Sequence, residues 1–375
     1  TGWGGVNLPA YIGRYAANSR LGPLARPLLA RPFRRGHTKR CAILFEPDRI
    51  SYAQVYPFVL YAREIEARYG VQLRFFDIRR LDRLDFADFD EVIFQLWFTR
   101  EAGWFDQVFE KAARGGAKLR AFLDSFAHND LRLAAQLDGQ IDYYLKKSLF
   151  RDVTLYSRPT RGHTNLTDHY QRAFGIADEE VRWDIPPGFT DKLRLSPNFF
   201  TAPHLYRLFL DQDVEQVMAR RRDIDLHARL GRKGSAWYVA MRDQALAEVQ
   251  ALSGVRVASN GLVSPKEFAA EMDSARMCFS PFGFGELCWR DIEAMAAGAV
   301  LLKPAMDHLR SLPDLYEAHI TYVPLAWDCS DLAEKVAWVS ANPAAADAMA
   351  RAAFIRIRDY LTAQRFVKDM EFLFT

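Results

Sequence analysis

The chain has 375 residues, 50% hydrophobic and 26% charged, the balance of a globular protein with material for two cores. No apolar run approaches the roughly 20 residues that span a bilayer, and no signal-type apolar segment follows Thr1. The net charge of +3 is uneven: Arg14, Arg20, Arg26, Arg31, Arg34, Arg35, Lys39 and Arg40 crowd residues 1–40 without one acid, leaving 42 basic against 47 acidic residues in the body. A nucleic-acid-binding domain carries its basic surface on the fold itself, so nucleic acid is not an expected partner. Cys41, Cys278, Cys288 and Cys329 form no CxxC pair and read as buried thiols in a reducing compartment.

After the basic arm the pattern is β/α. CAILFEP (41–47) reads as a buried strand. SYAQVYPFVLYAREIEARYG (51–70) has helical spacing and a glycine stop, with Pro57 interrupting its first turns. VQLRFFDI (71–78) and EVIFQLWF (91–98) are strand-like, WFDQVFEKAARGG (104–116) is helical, and KLRAFLDS (118–125) and DYYLKKSLF (142–150) are strand-like again. From 151 to 222 the periodicity fades, and the segment reads as a long loop and interdomain connection with some helix in 203–221.

A second β/α series starts at DIDLHARLG (223–231). It continues through the helical SAWYVAMRDQALAEVQAL, the strand VRVASN (255–260), and a helix opened by the capping box Ser264-Pro-Lys-Glu267. Strands RMCFSPF, AVLLKP (299–304) and ITYVPL (320–325) follow, then closing helices. Strands alternating with helices predict parallel sheets covered by helices. The expected units are an arm over 1–40, an N-terminal Rossmann-like domain with its long loop over 41–222, a C-terminal one over 223–355, and a final helix over 356–375 returning to the first domain.

The stretch SPFGFGELCWRDIEAMAAGAVLLKP (280–304) carries three charged groups at helical spacing, Glu286, Arg290 and Glu293, on a helix expected over 286–297. Gly283 and Gly285 let a ligand approach the backbone, and ligands of open parallel sheets bind at the carboxyl ends of the strands. A solvated salt-bridge ladder is the plain alternative. The order strand, Pro-Phe-Gly, Glu, helix with Glu-Ala-Met-Ala-x-Gly and apolar strand resembles the donor site of GT-B glycosyltransferases, which have two Rossmann-like domains facing a cleft. It is similar to the Glu-x7-Glu motif of glycosyltransferase family 4, although six residues, not seven, separate Glu286 from Glu293. Arg290-x-x-Glu293 also resembles exostosin-like and CgeB-like transferases.

The resemblance implies that Glu293 bonds the donor ribose and that Arg229, Arg232 and Lys233, with Arg290, neutralise its diphosphate. Backbone amides at Gly283 and Gly285 would contact the donor, and Glu286 joins the catalytic candidates. Asp124 and His128 lie beyond a strand of the first half, where either can accept the proton of an acceptor hydroxyl; Glu46 is a weaker rival. Arg151, Arg158, Arg161 and His163 suit an anionic acceptor. Asp88-Phe-Asp90 precedes a strand and reads as turn chemistry, no His/Cys cluster has metal geometry, and no GxGxxG follows the first strand.

The expected protein is therefore an α/β, two-domain GT-B glycosyltransferase, hexosyltransferase in type, without metal or cofactor. It would take a nucleotide-sugar donor and a glycan or glycolipid acceptor. A GT-B sugar-nucleotide epimerase and a non-catalytic carbohydrate-binding or scaffold protein remain alternatives. The expected location is cytoplasmic. The arm over 11–35 mixes arginines with Tyr11, Leu24, Leu28 and Phe33, and either meets an anionic membrane or packs on the body.

Overall fold

A computed structural model describes residue 33 and residues 39–124, 126–197, 202, 205–259, 261 and 263–375. The arm expectation for 11–35 lies outside the described residues apart from Phe33. The Phe33 ring meets Phe89 edge-on at 5.8 Å between centroids and lies under Arg74.

The first sheet is wholly parallel. Its strands are β1 (Lys39–Phe45), β2 (Val71–Asp77), β3 (Glu91–Gln95), β4 (Leu119–Asp124), β5 (Tyr143–Lys146) and, beyond two short strands β6 (Ser148–Phe150) and β7 (Thr160–Arg161) and a third, β8 (Glu180–Val181), the strand β9 (Leu193–Leu195). They lie in the order β2-β1-β3-β4-β5-β9. The second sheet contains β10 (Ile224–His227), β11 (Val257–Ala258), β12 (Ala275–Phe279) and β13 (Val300–Pro304); past β14 (Leu309–Ser311) it closes with β15 (Val323–Leu325). Its order, β11-β10-β12-β13-β15, repeats the first. In each sheet the strand order thus reverses beside the first strand, between β1 and β3 and between β10 and β12. The reversal opens a crevice at the strand ends.

The helices form where periodicity and caps agree. Tyr69 is followed by Gly70 in the left-handed region (φ 67°), which only glycine adopts without strain, and the helix stops there. The helix Pro265–Asp273 has the expected box, Ser264 N donating to Glu267 Oε2 at 2.9 Å and Glu267 N to Ser264 Oγ at 3.2 Å.

Three local expectations are corrected. The helix over 51–70 runs through Pro57 and breaks at Tyr61, where the proline-freed turn ends. The segment read as loop contains the helix Asn165–Ala173 and the sixth strand β9, whose pattern is too short to register as a period. The helix expected from 286 begins at Trp289, because the chain stays extended through Cys288 (φ −124°, ψ 148°).

The two halves are joined by more than a linker. β6 of the first half pairs antiparallel with β14 of the second, Ser148 opposite Ser311 and Phe150 opposite Leu309. The chain end also lies on the first half: Tyr61 and Tyr69 donate their hydroxyls to the carbonyls of Leu361 and Val367, and Lys39 Nζ reaches Phe374 O at 2.7 Å. One apolar cluster accordingly runs from the first sheet through the connecting segment to the long helix Pro343–Thr362, and a smaller one fills the far face of the second sheet.

Candidate active site

The carboxyl ends of the two sheets meet. The loop after β12 (280–288) presses on the loop after β4, so closely that a Cβ on Gly285 would stand 1.8 Å from the carbonyl oxygen of Ala127. The two Rossmann-like units therefore face each other across their strand ends, the GT-B arrangement. Glu286 and His128 are each the next residue along from this contact.

Glu286 is not on the helix face where its spacing put it. It sits in the loop, 1% exposed, with Oε1 at 3.7 Å from Nε2 of His308. At that distance the contact is longer than a hydrogen bond. Burial pushes the Glu286 carboxyl up, but His308, a backbone N–H and the Asn165 side chain outweigh it and hold the group below the usual carboxylate range. A buried carboxylate fixed between His308 and Asn165 cannot belong to a solvated salt-bridge ladder. Neither partner was singled out by sequence: His308 lies 22 residues away beyond a strand, and Asn165 lies in the segment without a period.

Arg290, in the first turn of the helix Trp289–Ala297, donates through NH2 to the carbonyl of Arg229 at 2.5 Å, and its Nε is buried without a hydrogen-bond acceptor among the described residues. It thereby bridges the loops after β10 and β12. Glu293 is half-buried one turn on.

The other expected phosphate ligands are less free. Arg229 is clamped by Glu271, Nε and NH2 each at 2.6 Å from a carboxylate oxygen. Exposed Arg232 pairs with Asp243 at 2.5 Å, and Lys233 is exposed in the same loop. That loop leads into the helix Ala236–Gln250, whose N-cap Ser235 makes no side-chain cap, so its first N–H groups face the crevice uncapped by a side chain. Below it His227 is fully buried, and burial first, then the charge of Arg290, pushes its imidazole down to about 4.

Two buried polar networks hold the loop after β12. Asp291 and Lys303 are both fully buried and 3.1 Å apart. Asp291 also accepts from Ser280 Oγ at 2.6 Å, Tyr316 OH at 2.7 Å and Cys288 N at 3.1 Å. The helix start that carries Arg290 and Glu293 is fixed to β12, β13 and the Tyr316 loop together. Arg242, buried on the helix Ala236–Gln250, donates to the carbonyl of Phe282 at 2.5 Å and sets the backbone just before Gly283. The sequence reading missed both networks; the one available signal was Lys303, a charge closing the apolar strand AVLLKP.

On the facing side Asp124 is corrected as a proton acceptor. It is buried, with Lys146 Nζ at 2.5 Å and Tyr144 OH at 2.8 Å on one oxygen and the Phe126 N–H at 3.2 Å on the other. A carboxylate so engaged is a structural tie between β4 and β5. His128 fits the role better. Burial, then the charge of Arg132, lowers its pKa, and Nδ1 is buried without a partner among the described residues. Glu46 is engaged by two nitrogens of Arg100, NH2 at 2.7 Å and Nε at 2.9 Å. Lys147 is 5% exposed beside this group; burial pushes its ammonium down to about 7 against the pull of Asp124 and Glu286.

The four acceptor candidates do not form one patch. Arg151 is corrected to an interdomain tie: its backbone N donates to His308 O, and its side chain reaches Asp307 O and Asp314 Oδ2. Arg158 is exposed, and Arg161 lies over the helix Asn165–Ala173, its N bonded to Asp168 at 2.7 Å. His163 stacks on Trp183 at 5.7 Å. Asp90 of the DxD accepts from Arg40 N and Nε at 2.9 and 3.0 Å. Among the described residues no three His, Cys, Asp or Glu side chains group as metal ligands, and no helix is long and apolar enough to cross a membrane.

Residues 214–371, which contain the whole second sheet and the Glu286–Glu293 loop, match the family model described as glycosyl transferase-like. No curated protein matches the chain. Among solved structures, a glycosyltransferase from Rickettsia africae shares 10% identity over 89% of this chain and 97% of its own, with TM-score 0.48. Anabaena HepE in complex with UDP-glucose shares 8% over 88% and 99%, with TM-score 0.45. The sucrose-phosphate synthase of Thermosynechococcus elongatus shares 13% over 89% and 98%, with TM-score 0.43. The matched residues include the sheet whose crevice loops hold Arg290 and Glu293.

Proposed function

We propose that this chain moves a hexosyl group from a nucleotide-sugar donor to a hydroxyl of a glycan or glycolipid. The observation that carries the reading is the glycosyl transferase-like match over 214–371 falling on the crevice loops that bring Arg290, Glu293 and Glu286 to the second sheet's switch point. Glu293 would accept the ribose hydroxyls. Arg290, with its planar fork, would meet the diphosphate, and the uncapped N–H groups at 236–238 would add partial positive charge.

In the reaction the bond from the anomeric carbon to the diphosphate oxygen breaks, and the leaving diphosphate keeps the electron pair. The acceptor oxygen bonds to the same carbon, and its proton goes to a base. His128, neutral and facing the second domain, is that base in an inverting transfer. Fixed cations aimed at the developing diphosphate charge lower the barrier. In this reading the cations are arginines and no metal is needed, so excess EDTA should leave turnover unchanged. The protein would work in the cytoplasm, with the arm over 11–35 meeting an anionic membrane that displays the acceptor.

The test is a thermal-shift panel with UDP-, GDP-, dTDP- and CMP-sugars, UDP-glucose first, followed by assay for released nucleotide with and without acceptor glycans. A bound donor at 100 times its Kd stabilises by about 2.7 kcal/mol. Release that needs an acceptor supports transfer. Turnover of the sugar without acceptor would instead favour an epimerase, and stabilisation by none of the panel would overturn the reading.

A further inference from the structure

The crevice between the two sheets is crossed by backbone. β5 ends at Lys146, and β6 begins only one residue later, past Lys147. β13 ends at Pro304, and β14 begins after the short turn 305–308. Each of the two strands therefore leaves the carboxyl end of its own sheet, and they meet between the sheets. Ser148 lies opposite Ser311, Leu149 opposite Arg310 and Phe150 opposite Leu309. Arg151 N extends the ladder to His308 O at 2.9 Å. Leu149, Phe150 and Leu309 are buried in it.

The ladder is tied closely to the crevice groups on both sides. In the first domain, Lys146 Nζ donates to Asp130 O at 2.8 Å and reaches His128 O at 3.4 Å, so the loop that presents His128 is fastened to the root of β6. In the second, His308 directly precedes β14 and stands 3.7 Å from Glu286. Two further contacts hold the same gap. Tyr170, on the helix Asn165–Ala173, donates its hydroxyl to Trp327 O at 2.8 Å and stacks on Trp237 at 6.1 Å, which docks the connecting segment on the second domain. Gly285 rests on Ala127. Domains hinge freely where a few loop residues absorb the change and the interface is slight. Here any parting of the strand ends pulls directly on the ladder and exposes its buried side chains.

We infer that the β6–β14 ladder is a positioning element that holds the crevice at one width, so that the donor meets a preassembled site and transfer proceeds without closure of one domain on the other. The role in transfer rests on the glycosyltransferase reading above; the fixed width does not. Fixing the width matters to the chemistry. The acceptor oxygen comes from the first domain's side and the anomeric carbon from the second's, and reacting atoms must come within about 3–3.5 Å in line; a misplacement of about 1 Å can cost about a hundredfold in rate. A ladder rooted beside both loops supplies that alignment before substrate arrives.

The test locks the ladder. Ser148→Cys with Ser311→Cys sets two thiols directly opposite, at the cross-strand Cα separation of about 4.5–5.5 Å that a disulfide accepts. Oxidised, reduced and wild-type full chains are compared by small-angle scattering, alone and with UDP, GDP, UDP-glucose or GDP-mannose, and by turnover of the two sugar nucleotides. All forms should share one radius of gyration, and turnover of the oxidised form should stay within about twofold of the reduced form. Expansion of wild type relative to the oxidised form, compaction on adding nucleotide, or turnover lost on oxidation and regained with dithiothreitol would each overturn the inference. Arg310→Pro, at an exposed position, withdraws an N–H from the ladder. It should lower kcat at least about tenfold and leave the donor KM within about twofold, a split that general loss of fold does not produce; unchanged kcat overturns the positioning role. Should that variant not fold, the disulfide comparison decides. Absence of turnover by wild type with every sugar nucleotide overturns the glycosyltransferase reading and the role in transfer with it, while scattering separately decides whether the crevice is fixed.

Discussion

Gly285 and the carbonyl of Ala127 touch across the domain boundary with no room for one further carbon: an added Cβ would lie 1.8 Å from the oxygen. This contact, not a charged ladder, brings the second domain's Glu286 to the first domain's His128. Gly285→Ala should therefore force the loops apart. Overpacking typically costs about 1–3 kcal/mol, so the melting temperature and transfer activity should both fall. At Gly283 the nearest neighbour of a Cβ is Cys288 Sγ at 3.4 Å, ordinary contact, so Gly283→Ala should melt close to wild type. Equal melting of both variants would deny the contact its role.

The buried Asp291–Lys303 pair should behave as a positioning device. Removing one member leaves the other's charge bare, which costs about 3–5 kcal/mol for buried pairs. Lys303→Met should thus lower the urea midpoint sharply. The double variant Asp291→Asn with Lys303→Met should recover part of the loss, because no bare charge remains. A single variant as stable as wild type would show the pair to be dispensable.

Arg290 should act through its fork. Arg290→Lys keeps the charge but loses the planar donors that reach the Arg229 carbonyl and suit a phosphate. Nucleotide affinity should drop about tenfold, roughly 1.4 kcal/mol, with melting nearly unchanged. Glu293→Gln should likewise weaken donor binding without unfolding. A fall in stability with unaltered nucleotide binding would assign Arg290 to loop bridging only.

Lys147 predicts a pH dependence. Its ammonium is pushed down to about 7 by burial, from an ordinary value of 10.5. Between these values the unfolded chain holds a proton that the folded chain has released, so this group makes stability rise with pH through that window and withdraws the gain as pH falls toward 7. Lys147→Met should flatten the rise. The measurement is the urea midpoint at pH 7, 8 and 9 for both proteins, and parallel curves would refute the assignment.

Much of the architecture was legible in the chain because its signals are local. Apolar strands alternating with helical spacing required two parallel sheets. The Ser264–Glu267 box and the glycine stops at Gly70 and Gly298 mark helix ends by the chemistry of a few adjacent residues. Arg290 and Glu293 on one helix at the strand ends followed from that order. What the chain alone left undecided depends on residues distant in sequence. Spacing put Glu286 on the helix, but its surroundings are His308 and Asn165, and the backbone remains extended to Cys288. Asp124 reads as a free acid until Lys146, from the neighbouring strand, is brought to 2.5 Å. The strand-like run 142–150 divides into β5 and β6, and the partner of β6, β14, lies in the other domain, so nothing local to the run announces that pairing. Burial and pairing across strands set the charge and freedom of each polar group, and those are properties of the packed molecule.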